Sequence, residues 1–168
     1  MSEMFLKFSA PFIKSTKNTF STMMSTEITM HSPQIKKDNQ AGADITALIG
    51  INGTVESAGQ VKEFRGLLAL CFPKNLYVKL ASRMLGEDYT DVVPDIADAG
   101  SEVANIILGG SKQELLSLGI KLQLTSPSTI RGVDHEISYP KGSTTMRTTV
   151  SCDLGDFYLD LCYQDVSF

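Results

Sequence analysis

The residues of this sequence with the clearest capacity for chemistry are a carboxylate and an amide, Glu102 and Asn105. Residues three apart on a helix are surface neighbours, with Cβ atoms about 5–6 Å apart. A carboxylate can bind a cationic group, and an amide can both donate to and accept from one water molecule. Gly109 lies one turn beyond Asn105 on the same stripe, where a missing side chain would let a partner's backbone approach closely. Glutamate and asparagine are also common on solvated helix faces, so their spacing alone does not establish a function.

These residues lie in a segment, residues 95–118, whose apolar residues recur with helical spacing and which is followed by Gly119. The predicted buried face is centred on Val103 and contains Ile96, Ala99, Gly100, Ile106, Ile107 and Gly110. The predicted opposite face contains Asp98, Ser101, Glu102, Asn105, Gly109 and Lys112. A glycine inside a helix costs about 1 kcal/mol relative to alanine. Close packing of the helix on a sheet would explain Gly110, whereas packing does not explain the outward-facing Gly109.

A metal centre is the obvious alternative, because four aspartates precede or begin this helix: Asp88, Asp91, Asp95 and Asp98. Their spacing lacks the glycine and the terminal glutamate of a calcium-binding loop. Acidic residues at a helix N-terminus also complement the helix dipole. The two histidines and three cysteines lie far apart, with no C-x-x-C motif. We therefore expect no metal site and no disulfide, and three partly buried thiols in a reducing compartment.

The length and charge of the chain argue against several classes of function. The chain has 168 residues, 42% of them hydrophobic, and a formal net charge of −4. This composition predicts a single domain over residues 1–168 with a substantial core. An acidic chain has no overall basic field to hold a phosphate backbone, so we expect no nucleic-acid partner. Without an apolar run of 18 residues or a signal-peptide pattern, we expect a cytoplasmic protein with no membrane partner.

The periodicity of the apolar residues predicts an α+β fold, a largely antiparallel sheet packed against a long central helix and two shorter helices. The predicted helices are residues 11–24, 74–85 and 95–118, with Ser9 as the cap of the first. The predicted strands are residues 27–35, 45–53, 64–72, 121–125, 130–139, 144–152 and 157–163. Short turns join the late strands, which favours antiparallel pairing. The first helix carries only Lys14 and Lys17 between its apolar residues, so core packing is favoured over a membrane-surface helix.

The sequence around the carboxylate and the amide resembles the signature helix of the CheC/CheX/FliY phosphatases of bacterial chemotaxis. Those proteins carry an E-x-x-N pair followed by glycine and a basic residue, and the matching stretch here is SEVANIILGGSK, residues 101–112. Further similarities occur in the family's order: Pro11-Phe12 at the first helix, IGING at 49–53, MLGE at 84–87 and SPSTIRG at 126–132. The resemblance covers most of the chain, from about Pro11 to Asp165.

Within this family the chain is most similar to the CheX type. CheC-type members carry the E-x-x-N pair twice, whereas the second predicted helix here has Asn75 with Phe72 three residues before it. FliY-type members add flagellar-switch segments, and no stretch of that length is present. The resemblance therefore implies a CheC-like fold, one active face per chain and a homodimer built by joining sheets.

The resemblance also implies a function, hydrolysis of the aspartyl phosphate on a phosphorylated CheY-type response regulator. Asn105 would position the attacking water, and Glu102 would anchor the partner by pairing with one of its lysines. Asp98, Gly109 and Lys112 would belong to the surface that binds the regulator. The chain would need no cofactor or metal of its own, because Mg²⁺ is expected in the partner response regulator.

Two alternatives stay open at this point. The first is a non-catalytic CheX-like module that binds a response regulator or a flagellar-switch protein. The second is a dimerisation domain that has the helix without the activity. The presence of both Glu102 and Asn105 favours the enzyme, because a surface used only for binding has no need for the amide.

Overall fold

The structure is a computed structural model that describes residues 3–57, 59–123 and 125–164. Its helices are α1 (Glu3–Met24), α2 (Lys74–Leu85) and α3 (Ala99–Ser117), with a short 3-10 turn, Pro94–Ile96, ahead of α3. Its strands are β1 (Thr29–Met30), β2 (Gln34–Ile35), β3 (Ile45–Ser57), β4 (Gln60–Phe72), β5 (Ile120–Gln123), β6 (Ser128–Arg131), β7 (Ser143–Cys152) and β8 (Gly155–Gln164). The α+β fold class predicted from the sequence is confirmed.

Within the described ranges, the eight strands form one antiparallel sheet in the order β1-β7-β8-β4-β3-β5. The short strand β2 pairs with β7, and β6 pairs with β3. At the centre is the long β3–β4 hairpin, in which Ile45 pairs with Phe72 and Ser57 pairs with Gln60. Successive side chains of a strand point to opposite faces, so the two faces of the sheet are covered by different parts of the chain.

The three helices cover one face of the sheet and enclose the main hydrophobic core. From α1, Phe12 and Phe20 are fully buried, and Phe20 stacks on Phe157 of β8 with ring centroids 5.0 Å apart. From α3, Ala104 and Leu108 are fully buried in the same core. Burying a leucine or phenylalanine side chain stabilises the fold by about 1.5–3 kcal/mol. The helix that carries the candidate site is therefore fixed against the sheet along its length.

The opposite face of the sheet has a second, smaller apolar cluster. The loops on either side supply Ala41, Ala43 and Ile137, which pack on Ala69 and Cys71 of β4. These loops replace helices as the cover of this face.

Two predicted strands differ from the structure. Only the start of residues 130–139 is a strand, because Gly132 (φ 141°) and Asp134 (φ 52°) turn the chain away from the sheet beyond β6. Residues 27–35 form β1 and β2 instead of one strand, and Pro33 between them has no amide to donate to the ladder. The sequence also predicts a hairpin connection over residues 55–61, through residues 57–59, and residue 58 of that connection lies outside the described residues.

The start of α1 also differs from the sequence prediction. α1 begins at Glu3, so a helix start near Pro11 with Ser9 as its cap is wrong. Phe5 and Phe8 continue the helical aromatic stripe and are buried, which offsets the cost of a proline inside the helix.

The helix predicted over residues 74–85 is confirmed at both ends, and Gly86 follows it with φ 71°, in the left-handed region that favours glycine. Among the described residues, no helix combines the length and the apolar character that a membrane crossing requires.

Candidate functional site

One exposed stripe runs along α3 and contains every residue that the sequence singled out for function. The stripe begins at the residue before the helix and recurs every three or four positions: Asp98, Glu102, Asn105, Gly109 and Lys112. Glu102 and Asn105 lie on adjacent turns, on the same side of the helix. The structure therefore brings the predicted pair together on an accessible surface.

The side chains of Glu102 and Asn105 make no hydrogen bond or ion pair with any residue that the structure describes. Their polar atoms are therefore available to a partner or to water. The amide of Asn105 offers one acceptor and two donor hydrogens, and Glu102 offers a carboxylate. A Cβ atom at Gly109 would meet nothing within 4 Å, so the stripe is open beyond Asn105.

The buried face of α3 is rotated from the predicted one. Ser101, predicted to face outward, is buried and shares a 2.6 Å hydrogen bond with Thr129 of β6. Ile106, predicted to face inward, is only half-buried. The predicted start at residue 95 is also wrong, because Ile96 belongs to the 3-10 turn that precedes α3. The sheet, including β6, and α1 cover the buried side of the helix, and the stripe lies on its exposed side.

Gly110 packs against α1, so the predicted contact with the sheet is wrong. A Cβ atom at Gly110 would lie only 2.4 Å from the Ser15 hydroxyl oxygen. That hydroxyl donates a 2.8 Å hydrogen bond to the carbonyl of Ile107, which ties α1 to the middle of α3. The helix approaches the sheet at Gly100 instead, where a Cβ would lie 2.9 Å from Cβ of Ala47.

The start of α3 is held by Tyr77 of α2, which is buried. Its hydroxyl donates to the carbonyl of Ile96 at 2.8 Å and accepts from the amide of Gly100 at 3.0 Å. Burial raises the pKa of Tyr77, so the hydroxyl stays protonated and can donate. Sequence reasoning missed this residue. The available signal was a tyrosine among the apolar residues of α2, since a buried tyrosine hydroxyl usually finds a partner.

No three histidine, cysteine, aspartate or glutamate side chains lie close enough to hold a metal ion in the described part of the chain. Asp91 pairs with Lys74 at 2.7 Å, and this hydrogen bond lowers the pKa of Asp91. Asp98 faces solvent at the start of α3. Of the free cysteines, Cys71 and Cys162 are buried and Cys152 is half-buried.

Comparison with protein families gives a match between residues 45–151 and the family described as chemotaxis phosphatase CheX. The matched range includes β3, β4, α2, α3 and therefore the whole exposed stripe. A search of curated proteins gives no significant match.

Several solved structures share the fold over nearly the whole chain. The chemotaxis protein CheX of Desulfovibrio desulfuricans is 30% identical, with a TM-score of 0.80 over 94% of this chain and 99% of that one. A CheC-like superfamily protein of Shewanella sp. PV-4 is 27% identical, with a TM-score of 0.81 over 97% and 99%. A Borrelia burgdorferi complex of CheX, CheY, BeF3 and Mg²⁺ is 23% identical, with a TM-score of 0.74 over 92% and 96%.

Proposed function

Because the chain belongs to the CheX family of chemotaxis phosphatases, we propose that it hydrolyses the aspartyl phosphate of a CheY-type response regulator. The observation that carries the proposal is the pair of exposed side chains, Glu102 and Asn105, with no partner among the described residues. The Borrelia burgdorferi complex supports it, because that CheX is bound to CheY together with BeF3 and Mg²⁺.

Asn105 positions the attacking water in this proposal. An aspartyl phosphate is already activated, so the main task left for the phosphatase is to place a water in line with the leaving oxygen. A neutral amide suits that task, because it accepts from and donates to one water without adding charge near the phosphoryl group. A glutamine has the comparable role in Ras-type GTPases.

Glu102 anchors the regulator by pairing with one of its lysines. A hydrogen bond between charged groups is short and directional, so it fixes the register of the two proteins. Because Glu102 and Asn105 are neighbours on one helix face, anchoring at the first aims the second. Asp98 adds negative charge beside the anchor, Gly109 admits the regulator's backbone, and Lys112 receives an acidic group beyond it.

The Mg²⁺ of the reaction belongs to the regulator in this proposal, where it is held with the phosphorylated aspartate. This chain contributes the amide and the carboxylate and no cofactor. In this proposal the protein acts in the cytoplasm as a homodimer.

The direct test is the decay of the aspartyl phosphate on a purified CheY-type regulator from the same organism. We expect a catalytic amount of the protein to accelerate phosphate release over several turnovers. The binding-only alternative predicts a complex with the phosphorylated regulator and an unchanged or slower decay. That result would overturn the proposal.

A further inference from the structure

The N-terminus of α3 lacks the side-chain cap that its sequence leads one to expect. Asp98 occupies the N-cap position, where an aspartate usually accepts hydrogen bonds from the free amides of the first turn. Its side chain makes no cap hydrogen bond, and its backbone, with φ −107° and ψ 6°, is far from the extended geometry of a capping residue. The carboxylate of Asp98 instead faces solvent.

The capping role is filled by Tyr77, a residue of another helix. Gly100 is the second residue of α3, and its amide is one of those left without an intrahelical acceptor. That amide donates to the Tyr77 hydroxyl at 3.0 Å. The same hydroxyl donates to the carbonyl of Ile96 at 2.8 Å, which fixes the 3-10 turn on the other side of Asp98.

Glycine at position 100 is what lets the phenol reach the helix. A Cβ atom there would lie 3.1 Å from Cε2 of Tyr77 and 2.9 Å from Cβ of Ala47. The ring therefore fills the space that a side chain would need, with its hydroxyl at the amide.

We infer that Tyr77 is a positioning residue: it caps α3 in place of Asp98 and so leaves the Asp98 carboxylate beside Glu102, free to receive a cationic group of the partner. The docking half of this inference rests on the proposed function, and the capping half does not. By holding Ile96 and Gly100 on either side, Tyr77 keeps Asp98 out of the backbone geometry in which it would cap the helix itself.

Removing the hydroxyl should therefore reverse the arrangement. In Tyr77→Phe the amide of Gly100 loses its acceptor and the 3-10 turn loses its tether. The carboxylate of Asp98 is the nearest capping group in the sequence, and it turns inward to accept that amide. The helix is capped again, and the docking surface loses a charge.

Amide hydrogen exchange tests the capping half without any partner. In Asp98→Ala we expect exchange of the Gly100 amide within about twofold of wild type, because Tyr77 still caps it. In Tyr77→Phe/Asp98→Ala we expect exchange at least about fivefold faster than in either single variant. The buried Leu108 amide in mid-helix serves as the internal reference, and Tyr158→Phe, whose hydroxyl has no partner among the described residues, is the matched control.

Faster exchange at Gly100 in Asp98→Ala alone would overturn the inference, as would a double variant that exchanges no faster than Tyr77→Phe. The first outcome can be read even if Tyr77→Phe folds poorly.

Steady-state kinetics with the phosphorylated regulator test the docking half. Tyr77→Phe and Asp98→Ala should each raise KM about threefold to tenfold with kcat unchanged, and the double variant should be no worse than either single variant. A purely structural loss would lower kcat as well, and independent effects would multiply in KM; either result overturns the docking half. If wild type does not act on the regulator, the proposed function fails, and the exchange experiment still decides the capping half.

Discussion

At the residue scale, Glu102 and Asn105 differ in chemistry, and their proposed roles differ accordingly. A carboxylate at position 102 interacts with charge and is suited to hold a partner. An amide at position 105 carries no charge and is suited to orient water. Both are exposed and have no partner among the described residues, so no side-chain contact within this part of the chain explains the pair. We therefore expect substitution of Glu102 to change KM and substitution of Asn105 to change kcat.

Substituting the anchor should weaken binding of the regulator. A hydrogen bond to a charged group contributes about 1.5–3 kcal/mol. We therefore expect Glu102→Gln to raise KM on the order of tenfold to a hundredfold, with kcat within about threefold, in an assay of phosphate release. Glu114→Gln is the control, since Glu114 lies on the same helix and pairs with the exposed Lys14. A loss confined to kcat would assign Glu102 a role in the chemical step instead.

At the element scale, two adjacent glycines of α3, Gly109 and Gly110, differ in the space around them. Gly110 has no room for a side chain, because Ser15 of α1 occupies the place of its Cβ. Gly109 has open space around it, although an alanine would favour the helix by about 1 kcal/mol. Packing explains the first glycine and does not explain the second. The proposed docking surface gives Gly109 a role.

The two glycines therefore predict opposite effects on stability. Gly109→Ala should raise the free energy of unfolding by up to about 1 kcal/mol, and Gly110→Ala should lower it by about 1–3 kcal/mol. Urea denaturation of the purified variants measures both. Adding Ser15→Ala to Gly110→Ala should recover part of the loss, since the Ser15 oxygen causes the clash. Equal destabilisation by the two alanines would show that the stripe at Gly109 is not open.

Some features of the helices were predictable from the sequence and others were not. The bounds of α2 and the exposed positions of Glu102, Asn105 and Gly109 follow from local periodicity, and they were predictable. Ser101 was placed on the wrong face, because its burial depends on a hydrogen bond to Thr129, 28 residues away. The cap supplied by Tyr77 was missed for the same reason. The local pattern shows that a side chain such as Tyr77 is buried, but it does not show which distant segment the side chain contacts.

At the scale of the whole molecule, the sheet separates the candidate site from a buried polar network on its far face. Asp160 is fully buried there and accepts hydrogen bonds of 2.7 Å from both Arg147 and Tyr139. Arg147 also donates to the carbonyl of Ala41, which ties the covering loop to β7. The guanidinium lies over the ring of Tyr158, 4.4 Å from its centroid. This network holds the sheet's far cover and lies away from α3.

Breaking the network should destabilise the protein without changing its activity per folded molecule. Arg147→Ala leaves the Asp160 carboxylate buried without its counter-charge, which typically costs about 3–5 kcal/mol. Chemical denaturation measures that loss, and phosphate release below the denaturation midpoint measures activity. An Arg147→Ala variant as stable as wild type would contradict the first expectation, and a folded but inactive variant would contradict this separation of the two faces.

Burial of Cys71 on the same face predicts a dependence of stability on pH. Burial raises the pKa of the Cys71 thiol from 9.0 to about 12. The contribution of the neutral thiol is therefore complete below pH 9 and is lost as the pH rises from about 9 toward 12, because the unfolded thiol ionises first. Unfolding measured over this range should show less alkaline loss in Cys71→Ala than in wild type. An identical pH profile in the two proteins would contradict the assignment.

The most direct test of the proposed mechanism is Asn105→Ala, measured in two assays on the same preparation. Loss of the water-positioning amide should lower kcat for phosphate release by about 100-fold or more. Affinity for the regulator carrying BeF3 and Mg²⁺ should stay within about threefold, because docking depends on Glu102. Asn18→Ala, an exposed asparagine of α1, is the matched control and should match wild type in both assays. Wild-type phosphate release by Asn105→Ala would contradict the water-positioning role of Asn105.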